Sequence, residues 1–511
     1  MAAKQRKLVL VVVDSLRCDM LLRAVEAGDA PTFKRLIDRG ELVGDCVSSF
    51  PSVTPVCTSE ICTGVRPDRH LIPGMNWYHR AEQRYVEYGS SFEATRAFGL
   101  FRSLYDTVYN LNMGHLNFET LTLFERLADA GLRTAGTPFL IYRGRTRHEV
   151  GLEGLLKAFA NAARFHHAVW GPEQLFYGEL YSSQKVDARP TLARPATRDA
   201  YSAAAGRILV ADDLYDFLLF SLPDNDYYSH RDGPYGTQES IARADDALAE
   251  LVDAHGGIDP FLAANGVIVV ADHAQSAVDQ PLNLQEALAE RWQVLQPNAE
   301  LSSEDELAVG PSGRGAGVWI LPHSRRRESL AANVRAHLET EIEAVDLVAW
   351  LDPDRELAHV RGAECELRFR PDPDGPVTDR RGVHWALDGD PNALGARITD
   401  GRFVADDYPD GLSRLWAALR NPNAADILVS LAPDWECVDW GGGNHIPGGS
   451  HGSLLATDSL GTLLTVGLDG ERPSREQWAI SDVYALIEAH FGLEPAAGDE
   501  PGVTDAAGVV P

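Results

Sequence analysis

Lysine is almost missing from this chain. Among 511 residues only Lys4, Lys7, Lys34, Lys157 and Lys185 are lysines, and 46 Lys plus Arg against 75 Asp plus Glu leave a net charge of -29. So acidic a chain has no broad basic face for a phosphate backbone, and no nucleic-acid polymer is expected as a partner. Cysteine is scarce as well. Cys18, Cys46, Cys57, Cys62, Cys365 and Cys437 form no CxxC pair and no dense framework, so reduced thiols are expected. Long apolar runs are also missing. No stretch approaches the ~18 apolar residues of a membrane span. The basic N-terminus leads only into the short run Leu8 to Val13, without the apolar core and cleavage site of a signal peptide. A soluble cytoplasmic protein with no membrane partner is the expectation, its oligomeric state left open.

What is present is an ordinary globular composition, 44% hydrophobic. The length allows two or three domains of about 150 residues, or one large α/β core with insertions. Lys7 to Val13 is a continuous β-branched run that ends in Asp14, the pattern of a buried parallel strand with an acid at its carboxyl end. Leu214 to Leu222 is a second apolar strand, and it empties into Pro223-Asp-Asn-Asp226-Tyr-Tyr-Ser-His230. Gly266 to Ala271 is a third, followed by Asp272-His273. In open α/β sheets ligands bind at that end of the strands. Each acid taken alone is most simply a helix cap; the recurrence is what carries weight.

The stretch Ser49 to Gly64 holds the candidate nucleophile. Thr54 precedes Pro55, helix-compatible residues run to about Cys62, and Gly64 can stop the helix, so Thr54 is expected at the N-cap. A hydroxyl there faces the positive end of the helix, where unpaired amides and the macrodipole favour an anion.

The expected fold is α/β, a mostly parallel central sheet sandwiched by helices, with a small α+β insertion. Core segments are expected over 1-75, 118-309 and 421-493. Residues 76-117 form an aromatic-rich insertion, either a lid and substrate wall or a satellite core. Residues 310-420 form the α+β insertion, and 494-511 a disordered tail. Helices are expected near Glu119 to Ala130, Glu153 to Ala168, Thr237 to His255 and Ser481 to Phe491. Strands are expected near Leu42 to Val47, Arg133 to Ile141, Ala425 to Leu431 (at the return to the core) and Thr462 to Gly467. A glycine-rich loop from Gly441 to Gly452 carries His445 and His451.

Asp14, Asp226, His230, Asp272, His273 and His451 make three carboxylates and three imidazoles, a donor set suited to Zn2+ more than to Mg2+. Six ligands make two sites of three. Two metals roughly 3.5–4 Å apart clamp the attacking and leaving oxygens of a phosphoryl displacement, and a bound hydroxyl such as that of Thr54 has its pKa lowered toward the nucleophilic alkoxide.

The chain resembles the alkaline phosphatase superfamily, and most of all its type I phosphodiesterase/nucleotide pyrophosphatase branch. The resemblance rests on Val11-Val-Val-Asp14, on Phe50-Pro-Ser-Val-Thr54 with Thr63-Gly64 and His70 downstream, on Asp226-x-x-x-His230, on Ala271-Asp272-His273 and on Ser450-His451-Gly452, in the family's order. It implies one zinc on Asp226, His230 and His451. It implies a second on Asp14, Asp272 and His273, with Thr54 on or near it as the nucleophile of a phospho-threonine intermediate. Mn2+ or Fe are the substitutes it allows. The substrate it implies is small and phosphorylated. Cys57 stands where some relatives have Asn; Asn76 fits a second Asn position, as an oxyanion stabiliser. Cys57, Asn76, Trp77 and Tyr78 are the substrate-binding candidates. Ser229 and Ala274-Gln275 depart from the residues most frequent beside the ligands. His445 is the alternative to His451 as last ligand.

Sulfatases share the fold, but Cys57-Thr-Ser-Glu-Ile lacks the Pro and Arg of their formylglycine motif. The runner-up is a hydrolase of the phosphonoacetate hydrolase type, or a phosphomonoesterase. The former calls for cations for a substrate carboxylate, with Arg80 and Arg143 as candidates. A non-catalytic binding module on the same fold is the alternative from another class.

Overall fold

In the computed structural model the described residues are 6-151, 167-178, 180-188, 197-322, 327-352, 354 and 356-495. The expected helix over 153-168 lies outside them up to residue 166, as does the tail from 496.

An eight-stranded sheet forms the centre. Its strands are β1 (Lys7–Val13), β2 (Glu41–Val47), β3 (Thr134–Gly136), β4 (Gln174–Tyr177), β5 (Tyr181–Ser182), β6 (Phe217–Leu222), β7 (Asn265–Val270) and β8 (Leu460–Val466). Their spatial order is β2-β8-β7-β1-β6-β3-β4-β5. The pairs β7-β1, β1-β6, β6-β3 and β3-β4 are parallel. The pairs β2-β8, β8-β7 and β4-β5 are antiparallel. The sheet is therefore mixed, which corrects the expected mostly parallel one. Antiparallel strands at both flanks close a core that is parallel only in its middle.

That middle positions the site. β1, β6 and β7 are continuous apolar runs because helices cover both faces, and nearly every residue in them is buried. Val13 pairs with Leu222 and Val12 with Val270, so the three strands end level with one another. Asp14, the turn into Asp226 and the turn Ala271-Asp272-His273 leave the sheet along one edge.

A second, ten-stranded sheet is built from residues 307-431. Ile427–Leu431, expected at the return to the core, lies inside this sheet, antiparallel to Gly315–Ile320 on one side and to Val345–Leu351 on the other. All five of its residues are buried. Residues 76-117 form a hairpin (Asn76–His79 with Arg84–Glu87), two short helices and the π-helix Asp106–His115. The hairpin is tied to the second sheet: Tyr85 donates to the Leu295 carbonyl and accepts from the Val309 amide.

A small three-stranded sheet joins the two halves. Ser276–Leu282 lies between Asp434–Cys437 and Gly448–Ser450, with Ser276 opposite Ser450. His451 is thereby delivered beside His273. No helix among the described residues is long and apolar enough to cross a membrane.

Candidate active site

The helix Thr54–Thr63 begins one residue earlier than a Thr54 N-cap requires. Val53 is the extended N-cap residue, Thr54 the first helical one, and no side chain caps the helix. The Thr54 hydroxyl is therefore not spent on its own helix; its Oγ1 lies 3.2 Å from His273 Nε2. Among the first-turn amides, Val56 and Cys57 both donate to the Val53 carbonyl, and Pro55 has no N–H.

Three imidazoles point at this hydroxyl's surroundings by one device. His451 Nδ1 is 2.7 Å from the Ser52 carbonyl, His230 Nδ1 is 2.7 Å from the Gly449 carbonyl, and His273 Nδ1 is 3.2 Å from the Ala274 carbonyl. A carbonyl can only accept, so each Nδ1 carries the proton and each Nε2 is left with a lone pair facing inward. Those nitrogens meet carboxylates: His230 Nε2 is 3.4 Å from Asp226, His451 Nε2 3.8 Å from Asp226, and His273 Nε2 3.7 Å from Asp14 and 3.5 Å from Asp272. Donor atoms of Asp226, His273 and His451 lie within 4.8 Å of one another, as do those of Asp14, Asp272 and His273.

The glycines of the last loop serve this convergence. The backbone of residues 448-449 runs against the helix Asp224–Asp232, and a methyl at Gly449 would collide with the Ser229 carbonyl oxygen. Only that approach lets the Gly449 carbonyl reach the His230 ring.

Electrostatically the cluster asks for cations. Among the described residues no Lys or Arg forms an ion pair with Asp14, Asp226 or Asp272. Burial and the neighbouring Asp272 and Asp226 push the Asp14 carboxyl well above its ordinary range. Burial and Asp226 push Asp272 up to about 7. Burial works the other way on His273, bringing it down to about 4, so it stays neutral and able to ligate. Asp226 is buried too, but the facing imidazoles, His230 foremost, hold its carboxyl well below the usual range. Asp14 Oδ1 and Asp272 Oδ2 are buried acceptors without hydrogen-bond partners. Orphaned carboxylate oxygens beside inward lone pairs fit divalent metal ions of the Zn2+ type.

Two further residues belong to the cluster: Ser15, passed over in the sequence, and Gln275, marked there only as a departure beside the ligands. Ser15, at a left-handed φ of 58°, sends its hydroxyl to Asp226 at 2.7 Å and its amide to Asp272 at 3.2 Å. Gln275, wholly buried, donates to Asp226 at 2.5 Å. Each sits next to or two residues from an expected ligand, a polar residue where a strand end leaves no water.

A cleft of about 900 Å³ opens over the cluster, lined by Asp14, Thr54, Thr58, Asp226, His230, Asp272, His445 and His451. Its wall includes Tyr88, Leu104, Phe139, Leu140, Tyr177 and Tyr227. Trp77 and Tyr78 do not line it. Both are buried, Trp77 against His79 and His115 and Tyr78 against Tyr85, because the hairpin turns them into the packing beneath. Asn76 is buried behind the cleft, its amide donating to the Pro311 carbonyl at 3.0 Å and to Asp439 at 2.9 Å. With both amide hydrogens engaged it has none for a substrate oxyanion. Cys57 is wholly buried, and burial raises its thiol well above the ordinary value. His230 and His445 both line the cleft outside these two donor groups, but His230 Nε2 faces Asp226 whereas His445 pairs with Glu436.

Comparison with known proteins bears on the fold and on the family. Two solved structures share the fold: phosphonoacetate hydrolase from Sinorhizobium meliloti 1021 in complex with phosphonoformate, with a TM-score of 0.51, and in complex with phosphonoacetate, with a TM-score of 0.52. Each is 16% identical, over 95% of this chain and 96% of that chain, a likeness of fold alone. No curated protein sequence matches. The sequence pattern described as Type I phosphodiesterase / nucleotide pyrophosphatase matches residues 8–454. That span opens inside β1 and closes just beyond His451, so it takes in every residue of the cluster. The chain belongs to the type I phosphodiesterase / nucleotide pyrophosphatase family, within the alkaline phosphatase superfamily.

Proposed function

We propose that this protein is a two-zinc hydrolase that cleaves phosphodiester or phosphoanhydride bonds through a phospho-threonine intermediate on Thr54. The observation that carries the reading is the meeting of an uncapped Thr54 hydroxyl with the inward Nε2 of His273 and two orphaned carboxylate oxygens. Asp226, His230 and His451 would hold one ion, and Asp14, Asp272 and His273 the other beside Thr54. When bound, the ions would neutralise charge on the phosphoryl group and lower the pKa of the threonine hydroxyl.

The chain's own residues do the rest. Thr54 Oγ1 attacks phosphorus, the bond to the leaving oxygen breaks, and the phosphoryl group is carried on threonine until water attacks it and releases the hydroxyl. The amide of Thr54, at the positive end of its helix, is a donor for a non-bridging oxygen. Ser15 and Gln275 hold Asp226 in place through three hydrogen bonds on or near one oxygen.

The phosphonoacetate reading calls for a cation for the substrate carboxylate, and its two named candidates are engaged elsewhere. Arg80 is bound to Asp426 at 3.1 Å and to the Ala424 carbonyl at 3.0 Å. Arg143 is buried against Glu125 at 3.1 Å. Neither lines the cleft, whose volume and apolar wall favour a bulkier ester. The test is metal analysis followed by steady-state turnover: close to two zinc per chain, and bis-p-nitrophenyl phosphate cleaved faster than p-nitrophenyl phosphate. A metal-free active protein, or phosphonoacetate as the better substrate, overturns the reading.

A further inference from the structure

The wall of the cleft carries an anchored cation. Arg198 opens the helix Arg198–Ala211, and its guanidinium is held from one side: Nε donates to Asp224 Oδ1 at 3.2 Å and Nη2 to the Pro223 carbonyl at 3.3 Å. Asp224 is itself fixed. Its Oδ2 accepts from the Asp199 amide at 3.1 Å, and its own amide donates to Asp199 Oδ1 at 3.0 Å. No hydrogen bond among the described residues engages Nη1, and Arg198 lines the same cleft as Asp14, Thr54 and Asp226. Its charge is felt at Asp14, where it favours the ionised carboxyl. Arg231, the other guanidinium in the lining, faces solvent and pairs with its neighbour Asp232.

A guanidinium whose orientation is already paid for loses little freedom when it meets a planar oxyanion. Asp224 takes only one edge of it, so the free edge remains a charge-assisted donor. Among the described residues of a cleft rich in carboxylates, Arg198 is the anchored cation that rewards a second negative group on a substrate whose phosphorus sits over Thr54. We propose that Arg198 is the subsite for a second anionic group of the substrate, a phosphate or a carboxylate joined to the scissile phosphorus by a short link. The chain then selects doubly anionic substrates over diesters that carry no second anionic group. This rests on the reading of the cluster as a phosphorus hydrolase.

The experiment uses the full metal-loaded chain and the variants Arg198→Gln and Arg198→Lys. Glutamine removes the charge but keeps a donor for Asp224 or the Pro223 carbonyl; lysine keeps the charge. Rates are measured on ATP, phosphonoacetate and bis-p-nitrophenyl phosphate. Calorimetry on the Thr54→Ala background measures binding of imidodiphosphate and of orthophosphate. The expected result is a rise in KM of about 10- to 100-fold in Arg198→Gln on the doubly anionic substrate that the wild type accepts, with kcat changed far less. The loss on bis-p-nitrophenyl phosphate is at least about tenfold smaller, and Arg198→Lys recovers part of the difference. If ATP carries the effect the second group is a phosphate; if phosphonoacetate carries it, the second group is a carboxylate, and the diester reading gives way to the phosphonate one while the subsite stands. Equal losses on every substrate, or none on any, overturn the proposal. If the wild type cleaves none of the three, the hydrolase reading fails on its own. Calorimetry then decides: imidodiphosphate weakened about tenfold or more in Arg198→Gln against unchanged orthophosphate supports the subsite, and equal binding removes it.

Discussion

The rings of His230 and His445 lie face to face, centroids 3.8 Å and planes 24° apart, yet only His230 belongs to the carboxylate cluster. His445 Nδ1 is 2.6 Å from Glu436, and the same carboxylate accepts from the His445 amide at 2.8 Å. That pairing turns the ring away from Asp226, whereas His451 is aimed at it by the Ser52 carbonyl. His451→Ala is therefore expected to lose about one zinc equivalent per chain and His445→Ala none. Elemental analysis after gel filtration decides; the reverse pattern exchanges the two histidines.

The acids of the cluster make a second prediction. Asp14, Asp226 and Asp272 are gathered without a Lys or Arg partner among the described residues, so stripping the ions leaves like charges facing one another in a poorly solvated site. Chelation should lower Tm. At pH 8, above the value of about 7 to which Asp272 is pushed, metal-free Asp272→Asn should melt above the metal-free wild type, because one of the repelling charges is gone, while binding metal less well. Scanning fluorimetry with and without chelator measures both. Metal-free forms with the same Tm contradict the crowding.

Away from the site, His70 gives a pH prediction. It is wholly buried, its Nδ1 accepts from the Ile72 amide at 3.1 Å, and its Nε2 has no partner. Burial brings its pKa down to about 3, and that of His115 likewise to about 3. The unfolded chain takes up these protons near pH 6.5 and the folded chain only near 3, so stability is full above about 6.5 and falls as the pH drops through that window. Each group contributes a slope of up to about 1.4 kcal/mol per pH unit. His70→Asn, which keeps an acceptor for the Ile72 amide, should flatten the fall between pH 6 and 4 measured by urea unfolding. An unchanged slope removes His70 as a source.

The reach of the sequence follows from what each pattern encodes. The apolar runs of β1, β6 and β7 were legible because only strands covered on both faces are so uniformly hydrophobic, and acids at their ends then mark the ligand edge. Thr54 was legible as a helix start but not as the first helical residue, since Thr-Pro fits both positions; the difference decides whether its hydroxyl is free. Ile427–Leu431 shows why sheet membership was not legible. A short buried strand names neither of its neighbours. Trp77 and Tyr78 show the same for the aromatic segment, where side-chain type says nothing about which residues turn inward. Phe139 and Leu140 could have been found: they follow β3, whose parallel register with β6 empties its loop into the same cleft.

The account stands on Thr54 as nucleophile. The direct measurement is turnover of bis-p-nitrophenyl phosphate by zinc-loaded Thr54→Ala beside the wild type, with metal content determined on the same samples. The prediction is a loss of about a thousandfold or more at an unchanged metal complement. Activity within about tenfold of the wild type, with the metals in place, would contradict it.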